Sequence, residues 1–319
     1  MAQEQLFFTK EGEPNQLRIL ITGASGLVGT AVTSALRADD DDVVRLVRPG
    51  GNVPFGSGDA RWDPPSGAVN REAMEGAEAI IHLAGAGIGD SRWTRERKKI
   101  LRASRVDSTR ILVEAISKLR RKPRVLLAAS AVGYYGDRRD EVLAESSRVG
   151  AGFLAELARD WETESSRAEA FGVRTVLLRF GMILAADGGA LPRMLAPFKF
   201  GLGGRLGSGK QWMSWIALQD VVEVIRLAIR DDRLGGPVNV VAPNPVRNAD
   251  FARALARALR RPAVLPAPAF ALRLALGEMA GALLLSSQRA MPQKLLAAGY
   301  VFRFPQLKAA LHSILTARH

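Results

Sequence analysis

The chain contains no cysteine, three histidines and three tyrosines in 319 residues, and it has no uninterrupted apolar run long enough to cross a bilayer. The missing cysteines exclude disulfides, thiol nucleophiles and cysteine-ligated zinc. His82 stands alone in the first half, and His312 and His319 fall in a terminal helix and tail, which argues against a histidine-based triad or a multi-histidine metal site. No metal is expected. The most apolar stretch, Pro268 to Ser286, is interrupted by Arg273, Glu278 and two glycines, so it reads as an amphipathic or core helix rather than a membrane span. Met1 to Gln16 is polar, carries acidic residues and lacks the apolar centre of a secretory leader; it reads as a loose tail on a cytoplasmic protein.

What is present is arginine and glycine. The net charge is +13, and arginine outnumbers lysine about four to one. That excess suits an anionic cofactor. The densest basic run, Arg92 to Arg110, carries Ile100, Leu101 and Val106 at helical spacing, continued by Ile111 and Leu112, and lacks the interleaved aromatics of a single-strand binder, so no nucleic-acid partner is expected.

The glycines are concentrated where chemistry is expected. Leu17 to Ile21 is a short apolar strand, and Thr22-Gly23-Ala24-Ser25-Gly26-Leu27-Val28-Gly29 leads from it into a helix. Gly23 permits the sharp turn, Gly26 leaves room for a pyrophosphate against the backbone, and Gly29 lets the helix pack on its strand. Gly23, Ser25, Gly26, Leu27 and Val28 thus form a candidate dinucleotide cradle at the positive end of a helix. The next strand, Val43 to Val47, ends in Arg48 rather than in the acidic residue of an NAD site. Arginine suits a 2′-phosphate, so NADP is expected ahead of NAD. Asp39 to Asp42 precede that strand and cannot reach the ribose.

Strands at Ala79–Leu83, Arg124–Ser130 and Val173–Arg179 alternate with helical segments, which predicts an α/β fold with a Rossmann-type, doubly wound parallel sheet. Residues 17–184 form its dinucleotide-binding core, with some later segments returning to it. From about Ala185 the texture changes to a smaller, mixed C-terminal substrate lobe, residues 185–319, opened by a glycine-rich loop from Gly201 to Trp215. Within that loop Arg205 and Lys210 are candidate anion ligands, and Trp212 and Trp215 are candidate apolar walls around a substrate.

These segments resemble the extended short-chain dehydrogenase/reductases, and among them an atypical branch of NAD-dependent epimerase/dehydratase-like proteins of unassigned substrate. The resemblance rests on the glycine loop together with Ile81-His82-Leu83-Ala84-Gly85, Ser104-Arg105-Val106, Ser130-Ala131-Val132-Gly133-Tyr134-Tyr135-Gly136, Ser208 to Ile216 and Gln288-Arg289-Ala290-Met291-Pro292. It implies a small extra helical domain at about 262–315. It also implies a cofactor lined by Leu83, Ala84 and Gly85, with Ile183 near the nicotinamide. Arg105 would face the cofactor where the wider superfamily carries asparagine.

The resemblance breaks at the Tyr-x-x-x-Lys pair that performs proton transfer in extended reductases. Four residues after Tyr134, Tyr135 and Tyr300 stand Arg138, Arg139 and Phe304. Ser130 and Tyr134 remain as candidate catalytic groups. Ala217 and Gln219 also replace the histidine and aspartate usual in this branch. Two readings therefore stand: an NADP-dependent reductase or epimerase-like enzyme acting on a small polar molecule, with a homodimer as its candidate assembly, or a non-catalytic NADP-binding redox sensor or partner-binding protein.

Overall fold

The computed structural model describes residues 16–48, 55–56, 58–263 and 265–316. The proposed tail at Met1 to Asn15, Pro49 to Pro54 after the second strand, and His319 lie outside them.

The strands are β1 Arg18–Thr22, β2 Asp42–Val47, β3 Ala60–Asp63, β4 Ala68–Val69, β5 Ala79–His82, β6 Val125–Ala131, β7 Val142–Leu143, β8 Arg174–Phe180, β9 Met182–Leu184, β10 Trp212–Met213, β11 Trp215–Ala217, β12 Gly236–Val240, β13 Val246–Arg247 and β14 Arg289–Ala290. The α-helices are α1 Leu27–Ala38, α2 Arg71–Met74, α3 Arg95–Arg102, α4 Ser108–Ser117, α5 Phe153–Ser166, α6 Ala190–Lys199, α7 Leu218–Arg230, α8 Asn248–Leu259, α9 Ala269–Leu276, α10 Gln293–Ala297 and α11 Leu307–Thr316.

The main sheet runs β12-β8-β6-β5-β1-β2-β3-β4. Its strands are parallel except β4, which pairs antiparallel with β3 at one edge. The central strands are almost continuously apolar because both faces are covered. Alternation divides them: Ile19 and Ile21 face a core shared with α1 and α7, whereas Leu20, Ile80 and Leu126 face Leu112 and Ile116 of α4. The acidic turn before β2 latches α7 onto this layer, since Arg226 pairs with Asp39 and Arg230 reaches Asp41 at 2.9 Å.

Helix α7 and strand β12, although late in sequence, pack into the sheet domain. A third core, built from Trp215, Leu195, Phe251, Leu255 and Leu311, holds α6, α8 and α11 together in the second lobe. Asp220, fully buried in the first turn of α7, accepts hydrogen bonds from the Tyr300 hydroxyl at 3.0 Å and from the backbone N–H groups of Arg303 and Phe304 at 2.7 and 3.0 Å. One carboxylate thereby ties the C-terminal segment to the sheet.

The basic run forms the expected helix, with a π-helical turn at Ala103–Asp107 between α3 and α4. Leu101, Val106 and Leu112 are buried; Ile100 is 52% exposed and is not a core residue. Of the two readings of the apolar stretch after Pro268, the core helix does not form: α9 contributes no buried residue and breaks at Gly277, whose φ is +64°, and only Met279 and Ala280 just beyond it are buried.

Candidate dinucleotide and reaction site

The turn between β1 and α1 is closed by the Gly26 N–H donating to the Gly23 carbonyl at 3.0 Å. Gly23 has φ +69°, and a Cβ on it would stand 2.7 Å from the Leu83 carbonyl carbon. A Cβ on Gly29 would fall 2.2 Å from the Gly23 oxygen. Only glycine lets β1, β5 and α1 converge this closely. Gly26 differs: its φ is −79°, and an added Cβ meets only the Gly23 oxygen, at 3.3 Å. Space at Gly26 is therefore kept open on the outer side of the turn. No side chain caps α1 and no acidic residue lies in its first turn, so its leading N–H groups and positive dipole end are available to an anion. Ser25 and Gly26 are exposed, and Leu27 and Val28 are half-buried beside them. Leu27 also touches the loop after β9, because a Cβ on Gly188 would lie 3.0 Å from its Cδ1.

Across the cleft, Leu83 and Ala84 donate their N–H groups to the Thr22 carbonyl and hydroxyl, both at 3.2 Å. His82 is fully buried between Thr22 Oγ1 at 2.7 Å and Thr109 Oγ1 at 2.9 Å, and Trp161 donates to the same Thr109 oxygen at 3.0 Å. Burial pushes its imidazole pKa down to about 4, so at neutral pH it is an uncharged strut rather than an acid.

Arg105 sits in the π-helical turn. Its guanidinium donates to the Ala86 carbonyl at 3.0 Å, lies over the Trp161 ring at 5.3 Å, and would be 3.2 Å from a Cβ on Gly85. Among the described residues no carboxylate pairs with it. Burial, aided by Arg97, brings its pKa down to about 10, the behaviour of a cation that lacks its counter-ion. Arg48 is exposed at the tip of β2, and Ile183 is half-buried in β9, paired with Ile216.

At the carboxyl ends of β6 and β8 lies a group that sequence reasoning missed. Arg179 is 2% exposed and clamps Glu162 of α5 through Nε at 2.8 Å and Nη2 at 2.7 Å. Ser130 donates to the same Glu162 Oε1 at 2.6 Å. Arg179 Nη1 donates to the Tyr135 hydroxyl at 2.9 Å, and that hydroxyl donates to Asn239 Oδ1 at 2.7 Å. Burial lowers the Arg179 pKa, but the bonds and charge of Glu162 outweigh it and the guanidinium is held firmly protonated. Tyr134 differs from Tyr135: it is half-buried, Arg179 lies 3.6 Å from its ring centroid, and its hydroxyl has no hydrogen bond among the described residues. The available signal was Arg179 itself, a charge ending an otherwise apolar strand, which demands a buried partner. Nothing in sequence spacing identified that partner as Glu162.

The predicted substrate loop is divided. Trp215 is fully buried in the second-lobe core and donates to the Asn244 carbonyl at 3.0 Å; it is a packing residue, not an exposed wall. Trp212 is half-buried between the guanidinium groups of Arg247 and Arg289, 4.5 and 4.4 Å from its ring, and donates to Asp140. Arg205 and Lys210 are exposed, and Arg205 lines a surface concavity with Arg253 that shares no lining residue with the glycine cradle. The loop does not bring these four residues together. Among the described residues no cluster of side chains could hold a metal ion, and no helix is long and apolar enough to cross a membrane.

A doubly wound parallel sheet with an open glycine cradle at one helix N-terminus defines a Rossmann-like protein of the short-chain dehydrogenase/reductase type. The chain belongs to the NAD dependent epimerase/dehydratase family, whose model matches residues 19–241; residues 267–314 match a domain of unknown function, DUF1731. Epimerase family protein ML0860 of Mycobacterium leprae is 43% identical over 293 residues, covering 92% of this chain and 94% of that protein. YfhF of Bacillus subtilis is 37% identical over 308 residues, covering 95% and 99%. The crystal structure of human epimerase family protein SDR39U1 with NADPH superposes with a TM-score of 0.85 at 33% identity, over 94% of this chain and 99% of that one.

Proposed function

We propose that this chain is an NADP(H)-binding cytoplasmic protein that exchanges hydride with a small polar substrate. The observation that carries the reading is the cradle: Gly23 and Gly29 fixed by close backbone approach, open space at Gly26 between them, an uncapped α1 N-terminus, and the guanidinium of Arg105, without a counter-ion among the described residues, on the opposite wall. The presence of NADPH in the human relative supports the same choice. Gly23 to Val28 would hold the pyrophosphate, Arg48 the 2′-phosphate, and Leu83, Ala84, Gly85, Arg105 and Ile183 the nicotinamide side. Bound NADP(H) supplies or accepts hydride there.

The chain's own proton chemistry differs from that of a Tyr-x-x-x-Lys reductase. The Ser130 hydrogen is committed to Glu162, so its oxygen faces any ligand as an acceptor and does not polarise a carbonyl as a donor. The Tyr134 phenol, with its ring against Arg179, is the available donor. Because the lysine-activated phenol is absent, a contribution typically worth about 10²–10⁴-fold is missing and turnover is expected to be slow. That same commitment of Ser130 favours the second reading, a non-catalytic NADP-binding sensor.

Titration calorimetry with NADPH and NADH tests the assignment. A charge-assisted contact to the 2′-phosphate is worth roughly 1.5–3 kcal/mol, so NADPH should bind on the order of tenfold or more tightly, and Arg48→Ala should erase the difference. Equal affinity of the wild-type chain for both dinucleotides sinks the NADP assignment. In the same samples, carbonyl-dependent NADPH consumption that disappears in Tyr134→Phe identifies an enzyme, whereas binding without turnover identifies the sensor.

A further inference from the structure

The first half of the most apolar stretch of the sequence ends up outside every core, and only Met279 and Ala280 beyond it are buried. Helix α9 buries no residue, and Phe270 and Leu274, one helical turn apart on one face, are 73% and 79% exposed. The helix continues from a short parallel ladder in which the Leu265 and Ala267 N–H groups donate to the Gly203 and Arg205 carbonyls, and the Gly207 N–H donates to the Ala267 carbonyl. This ladder brings a second apolar group alongside: Phe200, Leu202 and Leu265 are 80%, 59% and 50% exposed. Large apolar side chains so exposed and so close together mark an interaction surface rather than scattered surface residues.

The segments that carry them are predominantly basic, although Arg193 is paired with Asp90. Between Asp187 and Asp220 the sequence has four basic residues and no acidic one, and between Asp250 and Glu278 it has five arginines and no acidic one. The two acids that end the second stretch are already engaged, Asp250 with Arg253 and Glu278 with Lys98. Next to the ladder, Arg253, Arg257, Arg260 and Arg261 line a concavity of about 310 Å³ with no carboxylate in its wall. Arg205 enters the adjoining concavity.

We propose that this face of the second lobe docks on an anionic membrane surface, α9 and the Phe200–Leu202 loop entering the headgroup layer while the arginines meet lipid phosphates. An apolar helix face flanked by arginine is the composition that binds in the plane of such an interface without spanning it. Charge complementarity selects this occupant: a second copy of the chain would set like-charged arginine faces against one another.

The experiment is flotation of the full chain with vesicles of phosphatidylcholine alone, or of phosphatidylcholine with about one-third phosphatidylglycerol. The expected result is on the order of tenfold or more binding to the anionic vesicles, released at roughly 0.5 M salt as exposed charges are screened. The F270S/L274S and R257E/R261E double variants should each lose it; all four side chains are exposed, so the fold is kept. Failure to distinguish the two vesicle types overturns the proposal. So does binding that survives F270S/L274S, which would make the surface a general polyanion site, or a dimer in sedimentation velocity that F270S/L274S dissolves, which would make the occupant a second copy.

Discussion

Replacing Glu162 by alanine probes the buried network at the ends of β6 and β8. The carboxylate accepts three hydrogen bonds, two from Arg179 and one from Ser130, at 2.6–2.8 Å. Its loss leaves a guanidinium that is 2% exposed with Nε and Nη2 unpaired, while Nη1 keeps the Tyr135 hydroxyl and the Glu145 carbonyl. Stranding one member of a buried ion pair costs about 3–5 kcal/mol. At roughly 2 °C per kcal/mol for a chain of this size, Tm should fall by roughly 6–10 °C. Glu162→Leu combined with Arg179→Met removes both charges at similar volume, and such exchanges are often neutral or better. The double variant should therefore be more stable than Glu162→Ala. Urea denaturation of the wild type, the two single substitutions and the double measures the coupling. A loss below about 1 kcal/mol for Glu162→Ala, or a double variant whose cost is the plain sum of the singles, would refute the view that the two groups hold each other.

Three further outcomes follow from the cradle and its neighbours. His82 has a folded pKa of about 4, below its ordinary value of 6.5, so between those pH values the unfolded chain takes up a proton that the folded one refuses. Stability should be complete above pH 6.5 and decline by about 3 kcal/mol as pH falls to 4; thermal melts of wild type and His82→Gln should differ in slope across that window, and equal slopes would assign the titration elsewhere. Gly29→Ala should lower the Tm of the ligand-free protein, because its Cβ strikes the backbone at Gly23 and Ala24, whereas Gly26→Val should leave that Tm nearly unchanged and abolish only the thermal shift produced by NADPH. A Gly26→Val protein that keeps the shift would place the dinucleotide elsewhere.

The alternation of apolar segments and the glycine spacing determined the sheet and its cradle, because both are largely local properties: a buried strand needs a continuous apolar run, and Gly29 meets Gly23 within one βα turn, whereas the close approach of Gly23 to Leu83 comes from the neighbouring strand. The absence of a Tyr-x-x-x-Lys pair was equally plain, since it is a statement about residue types at fixed spacing. Tertiary structure alone decided the rest. Ser130, Glu162 and Arg179 come from β6, α5 and β8 and meet because parallel pairing sets Ser130 opposite Arg179 while α5 covers them. The two neighbouring tyrosines received opposite environments, Tyr135 sealed against Asn239 and Tyr134 with no hydrogen bond to its hydroxyl among the described residues, because the short 3-10 turn that carries them points one ring inward. Trp215 and Trp212 were equivalent as sequence and became a core residue and an arginine-stacked residue, since they fall in different strands, β11 paired with β9 in the core and β10 paired with β13 beside Arg247. The first half of the most apolar segment became the exposed helix α9. Hydropathy states what a segment would gain by burial, and only the packing of the whole chain decides whether a partner exists to bury it.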